Sequence, residues 1–563
     1  MNGIALLLGG TVLFALAYFF YGKFIGRVLG IDPARPTPAH TMRDGVDFVP
    51  AHPAVLFGHH FASIAGAGPI VGPIAAAYFG WGPVVAWVVV GCIFIGAVHD
   101  MAALYLSVRH QGKSIASVIE TVLGKPGRLL FLLFSWSTLI LVCAEFTRLV
   151  AATFVAHPDV ATSSLLFIAL AVLFGLATNR LGMKVLPATA VFVPLMFGCV
   201  WAGAAMPLDL VKDFGLDPAR AQAFWTVALL VYCFLASTLP VWILLQPRDY
   251  LNSYLLYATM ALGFLGVLFA SPHVGLEPFV GWRAPNARGV SMPLFPILFI
   301  TIACGACSGF HSLIASGTSA KQIDRESHIR PVAYGGMLLE GVLALLALVA
   351  VCRFSSGGLL DAIRSGATPV SLFSSGLAGF CTKLGIPEKP AFLFMSLAVA
   401  AFLMTSVDSA TRIARFTWQE LFTMFVETDD KGRPVRELPA PIKAVSNLFI
   451  STALVVLLVG FLLLHNPEIA RNLWNIFASA NQLLAALTLL TVSLWMLQNH
   501  KAWWTTLFPM LFMLAVSSAG LWTIFRTFDN SLVKAVTGLL LALAAVLVLL
   551  AIARFSKARL ARN

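Results

Sequence analysis

The chain of 563 residues is 59% hydrophobic and 11% charged, with a mean hydropathy of +0.88 and a formal net charge of +12. This composition leaves too little polar surface to cover a water-soluble globule, which excludes a soluble enzyme and a separate soluble domain. The basic residues are scattered over many connections, a pattern that suits an anionic lipid face and not a nucleic-acid surface.

Apolar runs able to cross about 30 Å of hydrocarbon recur from end to end and predict about 15 to 18 spans. Their approximate limits are 3–22, 53–79, 84–107, 129–156, 163–178, 186–206, 222–246, 254–271, 291–318, 332–353, 391–411, 443–464, 474–497, 504–525 and 532–553. The first lacks the basic start of a signal peptide and ends in Tyr18, Tyr21 and Lys23, so it reads as a retained span with interface anchors. The Gly/Ser-rich stretch from Thr368 to Phe380 is too short to cross and reads as re-entrant. With the N-terminus outside, the cytoplasmic loops hold 25 of the 37 basic residues, Arg248, Arg412 and Arg415 among them, and the outer loops hold 10. The positive-inside rule therefore predicts a periplasmic N-terminus, a cytoplasmic C-terminus and an odd number of spans. The longest polar connections, 23–50 and 427–443, fall on the cytoplasmic side. All eight cysteines lie in apolar segments and read as small core residues, Cys304-x-x-Cys307 included.

Two spans are interrupted. Residues 51–81 carry His52, His59 and His60 among Gly58, Gly66, Gly68, Gly72, Pro53, Pro69 and Pro73. Glycine and proline break a helix, and backbone freed within a bilayer must line protein or water. A second interruption lies at 291–320. Gly309, His311 and Gly317 repeat the offsets of Gly58, His60 and Gly66, a G-x-H-x5-G pattern. The two segments run in opposite directions in the predicted topology, as an inverted repeat requires.

The first break offers His59, His60, Ser63, Gly66 and Gly68 to a substrate. The amides of Gly66 and Gly68, at a new helix start, suit a carboxylate. Ser308 and His311, with Ser312 and Ser316, would face it from the second break. Glu145 and Arg148 are an i,i+3 pair deep in a span, either a structural clamp or an arginine held by Glu145 to grip a substrate carboxylate. Asp408, amid Thr405, Ser406 and Ser409, suits Na⁺ or a proton as coupling ion. Its bland alternative is an i,i+4 bridge to Arg412. Glu340 is a lone carboxylate and a second proton site. His59, His60, His99 and Asp100 could together hold a transition metal, although adjacent helical positions point about 100° apart. No other cofactor is expected. Gly112-Lys113-Ser114 lacks the leading glycine of a Walker A loop, since Ser107 stands there.

GHHFASIAGAGPIVGPIAAAYFGWGP, VHDMAALYLSVRHQGKSIA, CSGFHSLIASGTSAKQI and TSVDSATRIARF resemble the carbon starvation protein A family across most of the chain. The resemblance implies a bacterial inner-membrane importer of small peptides or pyruvate, with His59, His60, Gly66 and Gly68 in its central broken helix. Together these observations predict an all-α polytopic bundle with discontinuous helices and an inverted repeat similar to the leucine-transporter, or amino acid–polyamine–organocation, core. Residues 1–563 would form one transport domain with its core at 53–464, and residues 1–50 and 465–563 would be peripheral. The expected function is ion-driven import of small peptides or a related carboxylate, with a pyruvate/H⁺ symporter as the alternative. A gated channel and an intramembrane metalloenzyme are the rivals from other classes.

Overall fold

A computed structural model describes residues 2–44, 48–240, 242–424, 439–465 and 467–560, with side chains described except at 466–471 and 555–560. Most of the predicted connection 427–443, including Lys431, Arg433 and Arg436, lies outside the described residues. Among those described, 14 helices are long and apolar enough to cross a membrane, and one bent pair makes a fifteenth span. Each coincides with a predicted run.

In chain order these are α1 (Gly3–Leu29), α2 (Pro53–Ile64 continued by Gly68–Phe79), α3 (Trp81–Arg109) and α4 (Ile115–Ala156). Then come α5 (Pro158–Asn179), α6 (Val185–Ala205), α7 (Pro218–Thr238), α8 (Leu245–Ala270), α9 (Leu294–Lys321) and α10 (Glu326–Val351). After a short helix, α11 (Pro369–Cys381), follow α12 (Glu388–Thr423), α13 (Leu448–His465), α14 (Pro467–Gln498), α15 (Trp504–Thr527) and α16 (Ser531–Leu560). The protein is a multi-pass membrane protein with an all-α fold. Among the described residues a single two-stranded ribbon pairs Arg283–Pro285 with Ser291–Pro293.

The described connections gather at two ends. At the basic end, Arg109 pairs with Glu326 at 2.9 Å and donates to the Gly30 carbonyl, and Lys501 donates to the Leu29 carbonyl. The 30–52 connection lies across the same end, where Thr37 donates to the Ile323 carbonyl and His40 meets Asp324. At the opposite end the Gly3 amide bonds to Pro272, the Trp81 amide to Glu277 and the Gly275 amide to Cys352.

Helix α2 begins with His52 as its cap and Pro53 in its first turn, where the missing N–H costs nothing. It stops at Ile64, bends by 44° and restarts at Gly68 with Pro69 in the first turn. Helix α9 runs to Ile302, tightens at Ala303–Gly305 and resumes at Phe310. The two interrupted helices cross in backbone contact. A Cβ on Gly72 would lie 2.5 Å from the Ile302 carbonyl oxygen, and one on Gly68 would strike the Cys304 side chain. The G-x-H-x5-G pattern does not mark equivalent places: Gly66 lies within the first break, whereas Gly309 borders the second and Gly317 ends its second half. Glycine-rich chains repeat such offsets easily, and the breaks themselves are the shared feature.

Three sequence expectations change. Helix α14, assigned to the periphery, is 89% buried over its apolar window and clamps the second break. Its Gln482 and Trp474 donate to the carbonyls of Phe299 and Thr301, and Asn481 receives the amides of Gly309 and Phe310. Backbone groups freed by the break are thus paired within protein, as a bilayer interior requires. The expected re-entrant stretch is α11, a 13-residue helix capped reciprocally by Thr368 and Ser371 and packed against α8, α10 and α12. Helix α8 starts at Leu245, nearer the N-terminus than its apolar run suggested, so Arg248 is a buried residue and not a loop charge. Arg415 is buried in α12 as well, donating to the Ser237 carbonyl.

Candidate functional site

Three buried charge clusters surround the crossing of α2 and α9. The first joins α3, α9 and α10. His99 Nδ1 lies 2.7 Å from one oxygen of Asp100, and His311 Nδ1 lies 2.8 Å from the other. The far nitrogen of His311 faces Glu340 at 3.4 Å. All four side chains are fully buried. Neither oxygen of Glu340 has a hydrogen-bond partner, nor does Nε2 of His60, His99 or His311.

The second cluster joins α7, α8 and α12. Arg248 bridges Asp408, bonds Asp249 at 2.9 Å and reaches the Tyr232 hydroxyl, which itself donates to Asp408. Asn252 donates to Thr405 Oγ1 from the same face of α8. Asp408 therefore pairs with Arg248, 160 residues away in sequence, and not with Arg412, whose guanidinium lies over Phe416. The third cluster is the predicted pair within α4: Arg148 grips Glu145 with two bonds of 2.6 and 2.9 Å. Glu145 is fully buried while the Arg148 side chain keeps 26% of its exposure.

The histidines of α2 diverge, as their helical spacing requires. His59 Nδ1 lies 3.8 Å from Asp249 in the second cluster. His60 Nδ1 bonds Ser319 at 2.8 Å beside the first, and its ring faces Gly336 of α10. The proposed metal set of His59, His60, His99 and Asp100 is consequently split between different partners. Among the described residues no group of three His, Cys, Asp or Glu side chains has metal-holding geometry.

At the first break the Gly66 amide already bonds the Ile64 carbonyl, so it is not offered to an anion. Gly66 lies against Ser406, which itself bonds back to Phe402 within α12. Ser63 bonds its own helix at the His59 carbonyl, and Ser308 receives the Asn481 amide. Ser409 is half-buried on α12. The expected substrate residues therefore do not ring one chamber. Gly66, Gly68, Ser406 and Cys304 line a small cavity with Ile64, Val142, Phe146, Phe310 and Phe477. A second cavity, lined by Thr147, Tyr232, Met404 and Asp408, lies further along the same α4–α12 interface. Each has room for about one water molecule, near 10 Å³. A solute larger than water can enter only if these helices separate.

Arg248, Tyr232 and Asn481 escaped sequence reasoning. Arg248 and Asp249 stand beside a run of apolar residues, where charges are usually solvated, and only the pairing of Arg248 with both Asp249 and Asp408 distinguishes them. A polar pair within an apolar run, Asn481-Gln482, was the available signal for the clamp.

The chain matches the family described as carbon starvation protein CstA over residues 2–365 and 359–520. It is 31% identical to the peptide transporter CstA of Bacillus subtilis (strain 168), over 94% of this chain and 92% of that one. The peptide transporter CstA of Escherichia coli (strain K12) is also 31% identical, with 93% and 81% covered. The pyruvate/proton symporter BtsT of the same organism is 29% identical, with 91% and 80% covered. Among solved structures, MhsT in complex with L-phenylalanine aligns at TM-score 0.46 and 13% identity, over 90% of this chain and 99% of that one. A match to the family description along nearly the whole chain, with relatives at 31% identity, makes this membrane protein a member of the carbon starvation protein CstA family.

Proposed function

We propose that the protein is a secondary transporter of the bacterial inner membrane, importing small peptides or pyruvate by alternating access at the expense of an ion gradient. The observation that carries this is the crossing of two interrupted helices in backbone contact, at Gly72 and Ile302, amid three fully or largely buried charge clusters. Intramembrane ionisable groups are costly and persist where they serve a pathway. Interrupted helices near the centre of a bundle create sites for small charged cargo. The names of the relatives, peptide transporter and pyruvate/proton symporter, support a small carboxylate-bearing cargo.

The cargo site is the α4–α12 interface beside Gly66 and Gly68, where the two water-sized cavities would merge as the helices part. Arg148, the one cluster cation that keeps partial exposure, is the candidate for the cargo carboxylate, with Glu145 holding its guanidinium. The basic end, bearing Arg109, Lys321 and Lys501, faces the cytoplasm by the positive-inside rule. No chemical conversion of the cargo is proposed. Purified protein in liposomes, given labelled dialanine or pyruvate under an imposed H⁺ or Na⁺ gradient, tests the proposal. Accumulation above equilibrium supports it; equilibration alone would indicate a facilitator or channel, and recovery of a modified cargo would indicate an enzyme.

A further inference from the structure

We infer that the coupling ion is a proton and that it is bound at His311 and Glu340, with Asp100 as the fixed counter-charge, while Asp408 carries no coupling ion. This rests on the transport function proposed above. Asp408 already has a fixed counter-charge: Arg248, shared with Asp249, bridges it, and the Tyr232 hydroxyl donates to it. A carboxylate so compensated has little need of Na⁺ or H⁺.

The α3–α9–α10 cluster is built differently. It holds two carboxylates, Asp100 and Glu340, and among the described residues the only basic groups paired with them are histidines. The groups facing it are His60 from α2, the thiols of Cys92 on α3 and Cys307 on α9, and the polar side chain of Ser319. None of these carries a fixed positive charge. Two carboxylates with no exposure and no lysine or arginine can approach neutrality only by binding protons. The geometry shows where. With Asp100 ionised, His99 would donate from Nδ1 to its Oδ1, 2.7 Å away, and a doubly protonated His311 would donate from Nδ1 to its Oδ2, 2.8 Å away. Glu340, unpartnered at both oxygens and 3.4 Å from His311 Nε2, takes the remaining proton. That state is neutral overall. Release of one proton leaves the cluster with one uncompensated negative charge, which is costly while it stays buried and favours opening of the cluster to water.

His311 belongs to the second half of α9, and the carbonyl of Ile64, the last residue before the first break, faces its ring. Protonation thus bears on both interrupted helices at once. One proton from the aqueous phase would be bound at Glu340 in the closed state and released to the opposite side when α9 moves.

Infrared difference spectroscopy on the purified full-length protein in lipid tests the site without any cargo. A protonated-carboxyl C=O band should titrate with pH in the wild type, vanish in Glu340→Gln and persist in Asp408→Asn. Loss of the band in Asp408→Asn, or its survival in Glu340→Gln, overturns the inference. If Glu340→Gln does not fold, Glu340→Asp keeps the acid and should move the band's midpoint; an unmoved midpoint overturns it equally. In liposomes, wild-type accumulation should follow the pH gradient, and Glu340→Gln should lose accumulation while counterflow stays measurable. Accumulation driven by Na⁺ at equal pH on both sides would overturn proton coupling. Absence of any flux in the wild type would sink the transport function, while the band titration would still decide the proton site.

Discussion

Replacing Asn481 by alanine tests whether α14 holds the second break open. The Asn481 side chain accepts the Phe310 amide at 2.8 Å and donates to Ser308 at 3.0 Å, with no exposure to solvent. Alanine leaves the Phe310 N–H without its side-chain acceptor in a site that water does not reach, at a cost of about 1–3 kcal/mol, and removes a further bond worth about 1 kcal/mol. Interhelical bonds in membranes often measure less, about 0.6 kcal/mol on average, because the unfolded state in lipid finds other partners. Here that reference state increases the cost: a dissociated α9 can close its own helix and satisfy Phe310 internally, so the orphan exists only in the folded protein. The expected loss is about 2–3 kcal/mol. Reversible unfolding in lipid bicelles would measure it, with Asn481→Leu as control. Leucine restores the volume without an acceptor and should fall within about 1 kcal/mol of alanine. A loss below about 0.5 kcal/mol, or full rescue by leucine, would refute the clamp and leave simple packing.

Gly72→Ala should destabilise the fold by about 1–3 kcal/mol and more than Gly66→Ala, because the new Cβ meets the immobile Ile302 carbonyl at 2.5 Å whereas Gly66 faces the rotatable Ser406 hydroxyl. Thermal unfolding of the two variants side by side checks the order. Arg248→Met should cost about 3–5 kcal/mol by stranding Asp408 and Asp249, and adding Asp408→Leu should recover a good part of it. Strict additivity of the two changes would deny their coupling. Glu326→Ala removes the partner of Arg109 and the acceptor of the Asp32 amide. It should loosen the 30–52 connection, so that a cysteine replacing the fully buried Thr37 reacts faster with a maleimide; an unchanged rate would show that this end is held otherwise.

The span limits could be read from the chain because hydrocarbon thickness acts on each segment separately, and an apolar run of sufficient length is a local property. The interruptions were readable for the same reason. Pro53, Gly66, Gly68 and Pro69 act on their own backbone whatever lies beside them. The Glu145–Arg148 pair, closed within one helical turn, was also within reach of sequence.

Partners between helices were not. Asp408 looked like an ion ligand or a mate for Arg412 because local spacing offered nothing else, yet its counter-charge is Arg248 on another helix. His99 and Asp100 suggested a metal with His59 and His60, but the helical twist sends those histidines to Asp249 and Ser319. The meeting of Asp100, His311 and Glu340 depends on how α3, α9 and α10 are packed, and so does the role of Asn481. Amino-acid order alone settled the class of protein, its spans and the places where two helices give way, all consequences of short-range sterics and transfer free energy. Which buried charges neutralise one another is decided by contacts between segments far apart in sequence, and only the assembled bundle determines it.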